Sequence, residues 1–175
     1  GNLPYYAANP IVRHFLESEC RPTRIVVMLQ REVAKSMTAQ PGQMSLLSVG
    51  VQTYGKPRIA GYVPPSAFYP QPKVTSAVVS IDVYRTPALE LEDRDAFFNV
   101  VRAGFSAPRK QIRNSLANGL GITFQEALGL LRKANIEPSR RAETLDIETW
   151  KALYEATKGE LAHVCDGTCQ DKPLS

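Results

Sequence analysis

The hydrophobic pattern changes period once, near residue 90, and this limits the chain to an α/β portion followed by an all-helical one. Before that point apolar residues come in short β-branched runs or alternate with polar ones; after it they recur every three or four positions with no strand signal. Ile25-Val26-Val27-Met28-Leu29 reads as a strand buried on both faces. Leu47, Val49 and Val51 alternate with Ser48, Gly50 and Gln52, and Gly55-Lys56-Pro57 follows as a turn, which predicts a hairpin with Ile59 to Val63 as its second strand. Ser76 to Tyr84 is a further strand. Asn9 as N-cap with Pro10 in the first turn predicts a helix whose apolar face is Ile11, Val12, Phe15 and Leu16, and a short helix is expected from Arg31 to Met37. The expectation is a mixed α/β sheet ending in antiparallel strands.

In the second portion, Asp93 can cap a helix through Phe105, and Pro108 sits near the start of a second that Gly119 ends. Gly119-Leu120-Gly121 follows a helix and so reads as a helix stop, not as a phosphate-binding loop. Thr123-Phe124-Gln125-Glu126 is a capping box for a third helix running to about Asn135. Asp146 can cap a fourth, with Leu145 and Trp150 placed as a hydrophobic staple and Gly159 closing it. The predicted organisation is residues 1–90, 91–159 and a polar, aperiodic tail over 160–175.

Composition fits a globular chain: 175 residues, 43% hydrophobic and 22% charged. No apolar run reaches membrane-spanning length, and the opening Gly1-Asn2-Leu3-Pro4-Tyr5-Tyr6 is not a secretory leader, so no membrane association is expected. Three cysteines, Cys20, Cys165 and Cys169, make an odd count without framework spacing, which favours a reducing cytoplasm. The strands are too few to close a core as a sheet of their own, so an N-terminal portion is expected upstream of Gly1. The isolated chain is expected to expose a sheet edge and to self-associate through it.

The net charge of +4 is modest, but residues 102–141 carry eight Lys/Arg against Glu126 and Glu137 alone. Such a block suits nucleic acid as well as it suits a solvated helix surface. Asn2-Leu3-Pro4-Tyr5 adds chemistry. An amide side chain, backbone carbonyls beside a proline and an aromatic ring can hold the exocyclic amine of adenine or cytosine at a methyl donor. The Asn2 side-chain oxygen and the Leu3 or Pro4 carbonyl would accept its N–H hydrogens, and Tyr5 would stack on the base. In Val63-Pro64-Pro65-Ser66-Ala67-Phe68-Tyr69-Pro70-Gln71-Pro72-Lys73-Val74, the prolines stiffen a loop that presents Phe68, either as an anchor on the sheet or as a second stacking ring for an extruded base.

These two motifs resemble those of the ribosomal RNA adenine dimethyltransferases, the KsgA/RsmA and Erm family. A third, Phe105-Ser106 to Arg113-Asn114-Ser115-Leu116 followed by Pro138-Ser139-Arg140-Arg141-Ala142-Glu143-Thr144-Leu145, is similar to the helical C-terminal domain of the KsgA/RsmA branch. The resemblance covers about residues 1–155. It implies the C-terminal half of a Rossmann-like S-adenosylmethionine-dependent methyltransferase sheet followed by a small all-α domain. It also implies that Asn2 and Leu3, next to Pro4, hold the target N6, and that Tyr5 and Phe68 sandwich the adenine. Arg109, Lys110, Arg113, Arg140 and Arg141 become candidates for rRNA phosphate contacts, with Arg141 and Glu143 alternatively an internal pair. The implied substrate is two adjacent adenines in the 3′-terminal hairpin of small-subunit (16S) rRNA, and the implied cofactor is S-adenosylmethionine. In that family the glycine-rich donor loop and the acidic residue for the donor ribose lie upstream of the Asn-Leu-Pro-Tyr motif. Neither stands in this sequence, so only Asn2 is expected to touch the donor, and the chain alone is expected to be inactive.

Two other readings stay open on sequence: a non-catalytic nucleic-acid-binding relative resembling mitochondrial transcription factors, and the Erm branch, which modifies large-subunit rRNA. Intact Asn2, Leu3, Pro4 and Tyr5 favour an enzyme, and the long helical portion favours the KsgA/RsmA branch. His163, Cys165 and Cys169 offer three soft ligands, but the fourth ligand and tight pair spacing of a zinc site are missing, so no metal is expected.

Overall fold

A computed structural model describes residues 1–4, 7–18, 20–86 and 93–158. Three strands, β1 (Arg24–Gln30), β2 (Gly55–Val63) and β3 (Ser76–Val83), form an antiparallel sheet in the order β1-β3-β2. The pairs Ile25↔Ile81, Val27↔Val79 and Leu29↔Ala77 place six buried side chains on one face. The opposite face of β1 is open, with Val26 49% exposed, so β1 is buried on one face and not on both as its apolar run suggested. Beside β1, residues 1–3 add a short parallel stretch. The Gly1 amino group donates to the Val26 carbonyl (2.8 Å), Met28 N–H to Gly1 O (2.9 Å) and Leu3 N–H to Met28 O (3.1 Å). This covers part of the edge that was expected to be bare. The other edge is β2, which carries Pro57 and a bulge between Ile59 and Gly61, both features that discourage further pairing.

Helices α1 (Ala8–Glu17), α2 (Arg31–Met37) and α3 (Leu46–Gln52) belong to this portion. Two corrections to the sequence reading arise here. Residue Ala7, not Asn9, takes the N-cap position of α1, without a side-chain bond, which puts Pro10 inside the first turn. The Leu47, Val49 and Val51 segment is α3 and not a strand. A capping box between Ser45 and Ser48 starts it, and Ser48, Val49 and Val51 are buried on one side of the helix. Consequently Gly55 opens a strand that pairs with β3, and no hairpin forms between 47–51 and 59–63.

The helical portion holds α4 (Arg94–Phe105), α5 (Ile112–Leu120), α6 (Phe124–Lys133) and α7 (Ile147–Lys158). The caps read from sequence are in place: Asp93 accepts from Ala96 N–H, Thr123 and Glu126 cap each other, and Asp146 accepts from Thr149. Leu145 and Trp150 are fully buried. The second helix starts at Ile112, four residues after Pro108. It ends at Gly121, whose φ of +67° makes it the left-handed cap, whereas Gly119 lies inside the helix against Ala103 of α4. The Gly159 stop and the 160–175 tail lie outside the described residues.

One core joins the two portions, from Ala8 and Val12 through Val79 and Ile81 to Phe97, Leu131 and Trp150. The connection between α2 and α3 also donates Gly42 N–H (2.7 Å) and Met44 N–H (3.1 Å) to the Glu143 carbonyl of the helical portion.

Candidate functional site

Residues 1–3, β1 and β2 all run in one direction, so their carboxyl ends share one edge of the sheet. That edge gathers Asn2-Leu3-Pro4, Gln30 at the end of β1, and the connection 64–75 that carries Phe68. The Arg31 N–H bond to the Thr75 carbonyl (3.0 Å) ties the start of α2 to the end of that connection. In α/β sheets the carboxyl edge is where ligands bind.

At this edge Asn2 is exposed. The Pro4 carbonyl already accepts Ala7 N–H (3.0 Å), which turns the chain into α1. Among the described residues no N–H bonds to the Leu3 carbonyl. Tyr5 lies outside the described residues. A single 3-10 turn at Pro65–Ala67, closed by Phe68 N–H to Pro65 O (3.2 Å), sets Phe68 half-buried, while Tyr69 beside it is fully exposed. Arg31 and Lys73, which sequence reasoning passed over, line a cleft of about 230 Å³ at the same edge with Gln30, Glu32, Val74 and Thr75. Lys73 stands in the proline-rich motif without a role assigned there, and Arg31 is found only by topology, because nothing local marks it.

A larger concavity, about 510 Å³, lies between α1, α3 and α4, walled by Val12, Leu16, Val51, Tyr54 and Phe98. It contains none of the candidate site residues named from sequence. Burial pushes the Tyr54 phenol above its ordinary range, with the Arg94 guanidinium opposing.

The five basic candidates divide by environment. Arg109 and Lys110 are exposed on the bend before α5. Arg113, in the first turn of α5, lays its guanidinium over the Phe124 ring at 5.5 Å, with Nε buried. Arg140 is turned inward: Nε donates to Thr144 Oγ1 (3.1 Å), a terminal nitrogen donates to the Thr144 carbonyl, and its own carbonyl accepts Ile112 N–H (2.7 Å). Arg141 reaches Glu143 at 3.8 Å, the internal pair that the sequence left as an alternative.

Among the described residues no cluster of three His, Cys, Asp or Glu is placed to hold a metal, and Cys20 is a free, exposed thiol. His163, Cys165 and Cys169 lie outside the described residues. No described helix is long and apolar enough to cross a membrane.

The family model for the ribosomal RNA adenine dimethylases matches residues 1–153. The chain belongs to the ribosomal RNA adenine dimethylase family. Among curated proteins it is similar to the ribosomal RNA small subunit methyltransferase A of Dehalococcoides mccartyi, with 48% identity over 153 residues, 87% of this chain and 53% of that protein. The protein of the same name from Desulfitobacterium hafniense is 43% identical over 163 residues, 92% and 58% of the two chains. The chain thus spans about half the length of the curated relatives it matches. Among solved structures, a dimethyladenosine transferase from Plasmodium falciparum superposes with a TM-score of 0.77 at 24% identity, covering 90% of this chain and 65% of that one. The 23S rRNA methyltransferase ErmE gives 0.67 at 23%, covering 90% and 64%. These two likenesses show the α/β methyltransferase fold.

Methyltransferases of the ribosomal RNA adenine dimethylase family use S-adenosylmethionine. The described residues have no glycine-rich turn leading from a strand into a helix. The chain passes from Gln30 straight into α2, and Gly42 lies between two helices.

Proposed function

We propose that this stretch supplies the methyl-acceptor side and the RNA-binding helices of a small-subunit rRNA adenine N6,N6-dimethyltransferase acting in the cytoplasm. The observation that carries the reading is Asn2, exposed at the carboxyl edge of the sheet beside a Leu3 carbonyl to which no N–H of the described residues bonds. An adenine N6 is a poor nucleophile because its lone pair is delocalised into the ring. Two acceptors on its N–H hydrogens, Asn2 Oδ1 and Leu3 O, fix the amine and turn the lone pair out of the ring plane. Positioning of this kind supplies most of the rate enhancement. S-adenosylmethionine, when bound, would supply the methyl group by breaking its sulfonium S–CH3 bond, and Asn2 is the residue of this stretch that would help to hold it. The nitrogen becomes acidic as its new C–N bond forms, so its proton leaves to water without a dedicated base. Tyr5 and Phe68 stack on the two faces of the base, and Pro4 holds the motif in its extended shape.

In this reading residues 1–90 are the methyltransferase part and 91–159 the RNA-binding part, with Arg109, Lys110 and Arg113 on phosphates. Arg140 and Arg141 serve the same surface more indirectly, since Thr144 and Glu143 hold them. The substrate is the pair of adjacent adenines in the 3′-terminal hairpin of small-subunit rRNA. The test is methyl transfer from labelled S-adenosylmethionine by the full-length protein containing this chain to undermethylated small and large ribosomal subunits. Dimethyladenine confined to small-subunit rRNA is expected. Label on the large subunit would place the protein with the Erm-type enzymes, and RNA binding without transfer would make it a nucleic-acid-binding relative.

A further inference from the structure

Phe124 has no structural reason to be an exposed aromatic. It occupies the first position of α6, where the capping box of Thr123 and Glu126 already satisfies the helix start. The staple geometry at such a start joins the residue before the cap, Ile122, to Ala127, which is buried. Phe124 takes no part in that contact, and 42% of its surface stays exposed.

One side of the ring is occupied by the Arg113 guanidinium at 5.5 Å. Arg109 and Lys110, both exposed, lie four and three residues before Arg113 on the bend that leads into α5. The carboxylate of Glu126, two residues on, is bonded back to the Thr123 amide and hydroxyl. An exposed ring on a cationic surface is the arrangement by which proteins hold unpaired nucleotides: the π-face stacks on a base and the cations take the flanking phosphates.

We propose that Phe124, with Arg113 behind it, is a stacking platform for an unpaired base of the RNA, separate from the target adenine at the sheet edge. The platform rests on the reading of the protein as an RNA methyltransferase. It fixes the register of the RNA on the helical portion, which sets which adenines reach Asn2. The occupant is a single-stranded or looped nucleotide, because a base inside a duplex presents no free face.

The experiment uses the full-length protein with Phe124→Leu and Phe124→Trp, and two RNAs: a 3′-terminal small-subunit rRNA hairpin with its loop and a fully paired duplex of the same length. Phe124→Leu keeps an apolar residue but removes the ring. It is expected to weaken hairpin binding roughly 5- to 150-fold, the range of one lost base stack, with the salt dependence unchanged and duplex binding unaffected. Phe124→Trp retains hairpin affinity, and its new indole emission is quenched by the hairpin and not by the duplex. The chain's one native tryptophan, Trp150, is fully buried, so the signal reports the new residue by difference from wild type. Wild-type hairpin affinity in Phe124→Leu, or indole emission unchanged by the hairpin, would overturn the platform. Failure of the wild-type protein to bind the hairpin at all would instead overturn the RNA methyltransferase reading.

Discussion

Helices α4 and α5 meet at a glycine, and replacing it should act oppositely to replacing a glycine one helix later. A Cβ built on Gly119 would sit 2.4 Å from Ala103 Cα and 2.7 Å from both the Cβ and the carbonyl oxygen of Ala103. Unstrained carbon contacts lie near 3.5–4.0 Å, so Gly119→Ala has to push the two helices apart by about 1 Å or more. Two of the three atoms met are backbone, and no rotamer change relieves the contact. Overpacking of this kind costs about 1–3 kcal/mol, while alanine recovers about 1 kcal/mol of helix propensity. Because backbone must move, the upper part of that range applies, and the net loss is about 1–2 kcal/mol. In α6, a Cβ on Gly129 meets nothing within 4 Å. Gly129→Ala therefore keeps the propensity gain and should stabilise by about 0.5–1 kcal/mol. The two variants should differ by about 1.5–3 kcal/mol, or roughly 3–12 °C in midpoint at about 2–4 °C per kcal/mol for a chain of this size. Thermal unfolding followed by far-UV circular dichroism on both proteins measures the gap. A Gly119→Ala protein as stable as Gly129→Ala would refute the close approach of α4 and α5.

Other expectations follow from the same geometry. The carboxyl groups of Glu126 and Asp146 are held below the ordinary carboxylate range, the first by the backbone and side chain of Thr123, the second by the side chain and backbone of Thr149. Their contribution to stability is complete above the unfolded carboxylate pKa near 4 and fades as the pH falls through the depressed folded values. Asp146→Ala should cost about 1 kcal/mol at pH 7 and flatten that acid-side loss; an unaltered acid limb in urea titrations would contradict the cap. Neutralising Arg109 and Lys110 together should lower the salt slope of RNA binding by about 1.4–1.8, the value of two phosphate contacts, and an unchanged slope would leave both as solvated surface. The isolated chain should self-associate through the side of its sheet formed by residues 1–3 and β1, the one without Pro57 and the bulge, and a monodisperse monomer by light scattering would count against this.

The elements legible in the sequence are those whose signals are local. Asp93, Thr123 and Asp146 each bond to an amide three residues on, and three of the four helices of the second portion start where those residues say. The α3 segment was misread because a seven-residue helix is too short to separate a period of 2 from one of 3.6. Leu47, Val49 and Val51 satisfy a strand template, and only the Ser45–Ser48 box decides against it. Gly119 and Gly121 are two residues apart, and what keeps the first from ending the helix is its contact with Ala103, sixteen residues upstream, while the second takes the left-handed φ. The site divides in the same way. The place of Asn2, Leu3 and Pro4 at a strand end follows from the motif, but the use of the Pro4 carbonyl by Ala7 depends on how the chain turns into α1. The inward turn of Arg140 depends on Thr144 and Ile112, and a charge count sees neither.

The proposed role of Asn2 is to hold the acceptor nitrogen and not the RNA as a whole. The most direct test is single-turnover methyl transfer to undermethylated small subunits by full-length wild type and Asn2→Ala, with RNA affinity measured in parallel. The expected result is loss of transfer by at least about a hundredfold, comparable to removing a transition-state hydrogen-bonding group, with RNA affinity nearly unchanged. Undiminished transfer by Asn2→Ala, or a loss explained wholly by weaker RNA binding, would contradict the account.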